Sequence, residues 1–415
     1  MTLSEELKWR GFVNQTTVKN LSALDKLKDK SFYHGYDASI DSLTIGNLAA
    51  LMLDKVFIRH GWGTVILAGG ATSLIGDPGG KDAERVLQSE EQVKKNVAAV
   101  QKQLSKLFGG QVNFENNLDW FKGMSVLEFL RDVGKHFSMT PLVQRDYIAT
   151  RMGADGAGIS YTEFSYTLLQ GYDFLKLNEK YGVSLQLAGS DQWGNCLSGV
   201  ELVRKVTGNE VHALTMPLII NKTTGKKFGK SEGGAVWLDS AKTTPMQFYQ
   251  FWINVDDAGA EDYLKIFTEM DKADIAQTMK LHKADPKQRR AQHRLAEEVT
   301  ELVHGKDMVA KARAATHVLT GVTPLKEAVA AVETLKKEIP VVQSTVRKQI
   351  IDVLVEAGLA SSKTEARRLL LGGAIYINNE PASKDVLGES DFHNGWLIIR
   401  RGKAFKDSAL VQKRN

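Results

Sequence analysis

Three short stretches combine glycine with residues able to hold or neutralise phosphate: DSLTIGNL (Asp41 to Leu48), AGGATSLIGDPGGKD (Ala68 to Asp82) and KKFGKSEGG (Lys226 to Gly234). The first reads as the start of a helix with Gly46 in its opening turn. Glycine there costs about 1 kcal/mol relative to alanine. A ligand pressed flat on the backbone would offset that cost; a loose surface helix is the plain alternative. The second stretch is not a P-loop, because only three residues separate Gly76 from Gly80 and Asp82 follows Lys81 where a magnesium-binding hydroxyl belongs. It also lacks the G-x-G-x-x-G spacing of a dinucleotide site. The third contains GKSEG, which matches the nucleophile elbow of serine hydrolases. That elbow needs a buried strand before it and a helix after it. Lysines precede Ser231 and glycines follow it, so the stretch reads instead as a mobile clamp for phosphates, or as a solvated turn.

A fourth pattern stands apart from the glycines. Tyr166, Gln170 and Asp173 fall at i, i+4 and i+7. On a helix this spacing puts all three on one face, where they can line one pocket.

The elements that would position these residues follow from the apolar pattern. TVILAGGAT and VSLQLAGSDQW each run apolar and then turn glycine-rich and polar, as strands buried on both faces do. Helical positions after the second include Leu197, Val200 and Leu202. Such strands belong to a parallel sheet, which binds ligands at its carboxyl edge. Residues 115–158 read as helical, an insertion or a subunit contact. After Thr244 the chain turns helical, with Ala291, Leu295, Val299, Leu302 and Val303 on one face. Gly321, Pro324 and Pro340 bracket a linker. Beyond it come two helices (346–357 and 362–371), a strand in GGAIYINNEP, and a last strand in WLIIRRGKAF.

Composition sets outer bounds. The 415 residues are 43% apolar and 25% charged, enough for two or three cored domains and unlike a disordered chain. One cysteine, Cys196, excludes a disulfide framework and fits a reducing, cytoplasmic compartment. No apolar run reaches the roughly 18 residues of a membrane span, and the N-terminus MTLSEELKWRG reads as neither signal nor transit peptide. From Val341 onward 12 Lys/Arg stand against 8 Asp/Glu, a modest basic excess that suits a polyanionic partner such as nucleic acid.

The pair DSLTIGNL and KFGKS resembles the two signatures of class I aminoacyl-tRNA synthetases. YHGYDASIDSLTIGNL, AGGATSLIGDPGGKDAER, YTEFSYTLLQGYDFL, LAGSDQWGN and KFGKSE, in that order, resemble the bacterial-type tyrosyl-tRNA synthetases across nearly the whole chain. SSKTEARRLLLGGAIYINN resembles an S4-type RNA-binding fold. The resemblance implies an α/β architecture: a Rossmann-like parallel-sheet catalytic domain with a helical insertion (1–240), an α-helical tRNA-binding domain (241–322), a linker (323–345) and a small α+β S4-like domain (346–415).

It also implies roles. Tyr33 and Asp173 would read the phenolic hydroxyl of tyrosine, and Tyr166, Gln170 and Asp77 would hold its ammonium group, with Gln192 beside it. Asp37, Gly46, Asp191 and Lys230 would bind ATP. Thr44, Asn47, Lys81, Arg85, Lys227 and Lys230 would act on the phosphates. Arg204 and Lys205 would meet the acceptor arm of tRNA, and Lys363, Arg367 and Arg368 its backbone. A homodimer is implied, with Mg2+ arriving on ATP and no dedicated protein metal site. The sequence departs from the family at Thr44 and Asn47, where histidines are usual. Both can donate hydrogen bonds, but neither can carry positive charge. The alternatives are a synthetase-derived RNA-binding or splicing protein with weak or no aminoacylation, and a tryptophanyl enzyme, which the Tyr33/Asp173 pair disfavours.

Overall fold

The computed structural model describes residues 1–77, 88–110, 112–153, 156, 158–231, 234–402 and 407–414, without the side chains of residues 146, 147, 230 and 231. The chain divides into two compact units, Met1–Lys242 with Val255–Leu295, and Thr243–Asn254 with Ala296–Asn415.

The first unit is built on a sheet of six strands: β1 (Gln15–Thr16), β2 (Ser31–Tyr36), β3 (Gly63–Ala68), β4 (Asn113–Asn116), β5 (Leu185–Gly189) and β6 (His212–Met216). Their order is β1-β6-β5-β2-β3-β4, parallel throughout except for β1. The chain leaves β2 for β3 and β4 on one side, then crosses to β5 and β6 on the other. A crevice therefore opens at the carboxyl ends of β2 and β5, where ligands bind in such sheets. Leu185 and Leu187 on β5, and Val65, Ile66 and Leu67 on β3, are buried, which explains their continuous apolar runs.

Three helices frame the crevice. Ile45–Arg59 follows β2. Tyr161–Tyr181 precedes β5; it begins at a Ser160–Glu163 capping box and ends at Gly182, whose φ of 62° few other residues tolerate. Trp193–Thr207 follows β5 and lies close against Tyr161–Tyr181. At Gly199 a Cβ would stand 3.0 Å from the Phe174 ring, so glycine sets that approach. Cys196 takes the inward position of this helix, and Leu197 beside it is 40% exposed. The stretch read as helical from residue 115 contains the end of β4, then short helices at Leu118–Phe121, Met139–Val143 and Asp146–Met152. A small hairpin, β7 (Lys230–Ser231) with β8 (Gly234–Ala235), carries the KFGKS segment.

The second unit holds helices Pro245–Ile253 and Lys306–Thr320 and a sheet of β9 (Val341–Ser344), β10 (Ile375–Ile377), β11 (Glu380–Pro381), β12 (Trp396–Arg401) and β13 (Ser408–Lys413), in the order β11-β10-β12-β13-β9. Helices Ile350–Glu356 and Lys363–Leu371 carry Ile350, Val353, Leu354 and Ala366 into a core with Ile375, Leu397 and Val411. Two local readings need correction here. WLIIRR is not the last strand, because β13 pairs with it and lies beyond. The stretch read as linker is structured: Ala330–Leu335 is a helix that buries Ala331, Val332 and Leu335, and β9 pairs in parallel with β13. Its flanking prolines masked a short apolar helix and an edge strand. Helix Arg290–His304 buries Ala291, Leu295, Val299 and Val303, as its periodicity predicts, while Leu302, assigned to the same face, is partly buried. Among the described residues, no helix is long and apolar enough to cross a membrane.

Candidate active site

A cavity of about 430 Å³ opens at the carboxyl ends of β2 and β5. Its inner end is closed by Tyr33, Tyr166, Gln170 and Asp173, and by Asp77 and Gln192. Tyr33 alternates inward on β2, flanked in register by Val65 and Gln186, and its ring packs on Phe174 at 5.1 Å. Its hydroxyl is fully buried and has no hydrogen-bond partner among the described residues. An unpaired buried hydroxyl costs about 1–3 kcal/mol, a cost that a ligand's polar group can remove. Burial, with the nearby Cys196 and Asp173 groups, raises the Tyr33 pKa well above the usual phenol value, so the group is a neutral donor.

Asp173 is 2% exposed. Burial pushes its pKa up to about 7, against hydrogen bonds from Asn117 and Trp120 that pull it down; the charge of Asp37 adds to the rise. Asn117 Nδ2 donates to one carboxylate oxygen at 3.1 Å and Trp120 Nε1 to the other at 2.9 Å. Asn117 is itself fixed, since its Oδ1 accepts from the Ala71 N–H at 2.7 Å. Nearby, Gln192 Nε2 donates to Asp77 at 2.5 Å, and Asn195 Nδ2 donates to Gln192 Oε1 at 3.0 Å. The inner end thus presents carboxylates and amides whose orientations are set by one another and by Trp120 and Asn195, which lie outside the lining.

The outer end is made of backbone and helix terminus. Asp37, Thr44, Gly46, Asn47, Asp191 and Lys227 line it. Thr44 caps the helix Ile45–Arg59, and its N–H and hydroxyl both donate to Asn47 Oδ1 at 2.9 Å. A Cβ at Gly46 would touch only Thr44 Oγ, at 3.5 Å, an ordinary contact. Protein packing therefore does not demand glycine, and the space beside it belongs to the cavity. The KFGKS segment lies over this turn: the Ile45 N–H donates to the Val236 carbonyl, the Val236 N–H to the Gly229 carbonyl, and a Cβ at Gly229 would stand 3.3 Å from Gly46 N. Phe228 anchors the segment against Tyr263, with ring centroids 4.4 Å apart.

Of the residues singled out from sequence, this one cavity gathers Tyr33, Asp37, Thr44, Gly46, Asn47, Asp77, Tyr166, Gln170, Asp173, Asp191, Gln192 and Lys227. Lys81, Arg85 and the side chain of Lys230 lie outside the described residues. Arg204 and Lys205 are exposed in the last turn of Trp193–Thr207, away from the cavity lining; Lys205 pairs with Glu201 at 2.7 Å. Lys363, Arg367 and Arg368 are exposed on helix Lys363–Leu371, where Lys363 pairs with Asp352 at 2.8 Å. Among the described residues, no cluster of three or more His, Cys, Asp or Glu side chains could hold a metal ion. Sequence reasoning missed Asn117 and Trp120, which orient Asp173, as well as Gln186 and His34. Nothing local marks any of the four; each matters through a partner distant in the chain.

Fold and cavity define a class I aminoacyl-tRNA synthetase core. The family of class I tRNA synthetases for tryptophan and tyrosine matches residues 26–320, and the chain belongs to it. Residues 331–406 match the C-terminal domain of SYY-like tyrosine–tRNA ligases. The chain is 41% identical to the tyrosine–tRNA ligase of Roseiflexus castenholzii over 97% of each chain. It is 44% identical to tyrosine–tRNA ligase 2 of Bacillus cereus, over 99% of this chain and all of the relative. A C-terminally truncated mitochondrial tyrosyl-tRNA synthetase of Aspergillus nidulans superposes with a TM-score of 0.68 at 30% identity, over 75% of this chain and 92% of that one.

Proposed function

We infer that this chain catalyses tyrosine–tRNA ligation: it activates L-tyrosine with ATP and transfers the tyrosyl group to the terminal adenosine of tRNA(Tyr). The observation that carries the reading is the buried, unpartnered hydroxyl of Tyr33 beside Asp173 at the closed end of the cavity. A tyrosine side chain directed inward would bring its phenol to both. Its ammonium group would then meet Asp77, Tyr166 and Gln170, with Gln192 holding Asp77 in place.

In the activation step a carboxylate oxygen of tyrosine attacks the α-phosphorus of ATP. The bond from that phosphorus to the bridging oxygen breaks, and pyrophosphate leaves with the electron pair. No proton need move, so catalysis consists of alignment and stabilisation of charge. The amino terminus of helix Ile45–Arg59, capped by Thr44, supplies a favourable field for the phosphates, and Lys227 a mobile positive charge. Lys81, Arg85 and Lys230 complete the phosphate set in this reading. Gly46 leaves room for the adenine and Asp191 binds the ribose, with Asp37 nearby. Mg2+ comes bound to the ATP phosphates, where it keeps most of its waters.

In the second step a ribose hydroxyl of the tRNA attacks the tyrosyl carbonyl, the bond from that carbon to the phosphate oxygen breaks, and AMP leaves with the electron pair while its phosphate takes up the hydroxyl proton. Arg204 and Lys205 would meet the acceptor arm. The helical region 241–322 and the S4-like region 346–415, through Lys363, Arg367 and Arg368, would hold the tRNA backbone by charge. A homodimer is part of this reading. Val126, Leu127, Met139 and Tyr161 are 58–79% exposed, apolar side chains that a second copy would cover. A cytoplasmic setting fits the lone, buried Cys196. The test is charging of total tRNA with labelled tyrosine. Incorporation into one acceptor species supports the reading, and none from folded protein sinks it.

A further inference from the structure

Lys227 reaches the cavity from the end of a reverse turn whose residues 222–227 are all exposed, so burial does not fix the stretch that delivers it. The turn closes on itself. Ile220 bridges Lys227, the Asn221 N–H donates to the Lys226 carbonyl at 2.9 Å, and the Gly225 N–H donates to the Asn221 carbonyl at 2.8 Å. Asn221 Oδ1 accepts the Thr223 and Thr224 N–H groups at 3.0 and 2.7 Å. These bonds give the turn its shape but not its place. Two further side-chain donors of the turn end on one carboxylate outside it: Asn221 Nδ2 donates to Asp256 Oδ1 and the Thr223 hydroxyl to Asp256 Oδ2, each at 3.1 Å. Lys222 adds an ion pair to Asp262 at 2.5 Å, half-exposed on both sides and weak for that reason. Asp256 is itself held. It caps the short turn Asp257–Gly259 by accepting the Gly259 N–H at 3.1 Å, and the Tyr263 hydroxyl donates to its Oδ1 at 2.9 Å. A Cβ at Gly259 would stand 2.3 Å from the Tyr263 ring, so glycine there lets the ring lie across the turn. The same ring packs on Phe228, the residue after Lys227. The neighbouring Asp257 accepts from Gln292 Nε2 at 2.5 Å, which fixes this segment from a different element.

Building on the ligase reading, we propose that Asp256 is the positioning residue for Lys227: it ties the reverse turn at Asn221 and Thr223, so that the lysine stands at the cavity rim before ATP enters. The reason is the cost of ordering. An exposed turn with only its own backbone bonds samples many placements, and a charge that must find its place during the step stabilises less than one already there. A carboxylate suits the task because hydrogen bonds to an ionised acceptor are the stronger kind. Its two oxygens also let one side chain hold two points of the turn and two of the segment 259–263. Asp256 is outside the cavity lining, so it acts only through the backbone that carries Lys227.

The test uses the full chain in tyrosine-dependent ATP–pyrophosphate exchange, with tyrosine binding followed separately. Asp256→Ala should lower kcat about tenfold, with tyrosine affinity unchanged. The double variant Asn221→Ala with Thr223→Val removes the two donors of the turn, leaves the Gly259 and Tyr263 bonds in place, and should show the same loss. Thr223 is exposed and Asn221 partly so, which guards the result against misfolding of Asp256→Ala. In a Lys227→Ala background either change should add less than about twofold, because the residues act as one unit. Trypsin should also cut after Lys226 and Lys227 faster in both variants than in the unaltered protein. A double variant whose kcat stays within about twofold of the unaltered protein would overturn the proposal, as would an undiminished loss in the Lys227→Ala background, the mark of a merely structural role. Absence of exchange in the unaltered protein would instead overturn the ligase reading. The trypsin comparison is independent of that reading, and equal cleavage of all three proteins would overturn the tie itself.

Discussion

The two ends of the cavity are built on different principles. At the inner end, where the ligase reading puts the phenol, Asp173 is held by Asn117 and Trp120, Asn117 is held by the backbone at Ala71, and Tyr33 is wedged against Phe174. The Asp173 carboxylate is thus positioned before a substrate arrives. At the outer end, where the same reading puts the nucleotide, the described contacts are a helix terminus, a glycine, a small hairpin and an exposed lysine. Specificity for a phenol needs fixed, desolvated partners, because rejecting the wrong side chain depends on leaving them unpaired. Every amino acid-activating reaction uses the same ATP, so that end can be assembled from backbone and a hairpin laid over the helix terminus.

The contrast can be broken from either side. Asp173→Ala is expected to have the largest effect: loss of tyrosine activation by about 10³-fold, carried mainly by tyrosine affinity, since Asn117 and Trp120 are then left without their acceptor. Lys227→Ala should cost about 10²-fold in kcat with tyrosine binding unaltered, because its charge matters only as the phosphates reorganise. Gly46→Ala separates function from stability. The backbone accepts the methyl, so thermal stability should rise by about 0.5–1 kcal/mol, while KM for ATP rises about tenfold. A variant that gains stability and keeps its KM would show that no ligand lies on that turn.

Smaller effects test the frame around the site. Glu6 receives Arg10, Arg59 and His60 at 2.7–2.8 Å. Burial alone would raise its pKa, but hydrogen bonds from His60 and Arg10 and the charges of Arg59 and Arg10 bring it to about 2. A depressed carboxyl stabilises the fold above its unfolded value, near 4.3, and loses that contribution as pH falls toward 2. Glu6→Gln should therefore destabilise the protein by about 2–3 kcal/mol at neutral pH, with little difference below pH ~2 and unchanged kcat at 25 °C. Asp173 has the opposite sign. Its raised pKa means the fold loses stability as pH climbs from its unfolded value, about 3.9, to about 7. Thermal melts of Asp173→Asn should lack that decline.

Much of this was legible in the sequence, for physical reasons that differ by element. Doubly buried strands leave apolar runs, which marked β3 and β5, and the i, i+4, i+7 spacing marked the inner face of Tyr161–Tyr181. Pairings between distant residues leave no such trace. Asn117 and Asp173 are 56 positions apart and His34 and Asp54 are 20 apart, and neither member of either pair has a local pattern that names the other. The same limit hid β9, whose four residues become a strand only because β13 comes back beside them.

The most direct measurement is amino-acid-dependent ATP–pyrophosphate exchange with tyrosine, phenylalanine and tryptophan in parallel. Exchange with tyrosine alone is the expected result, and it would place the phenol-reading pair and the neutral Thr44–Asn47 terminus in one working site. Exchange with tryptophan, or with none of the three from folded protein that still binds tRNA, would contradict the account at its centre.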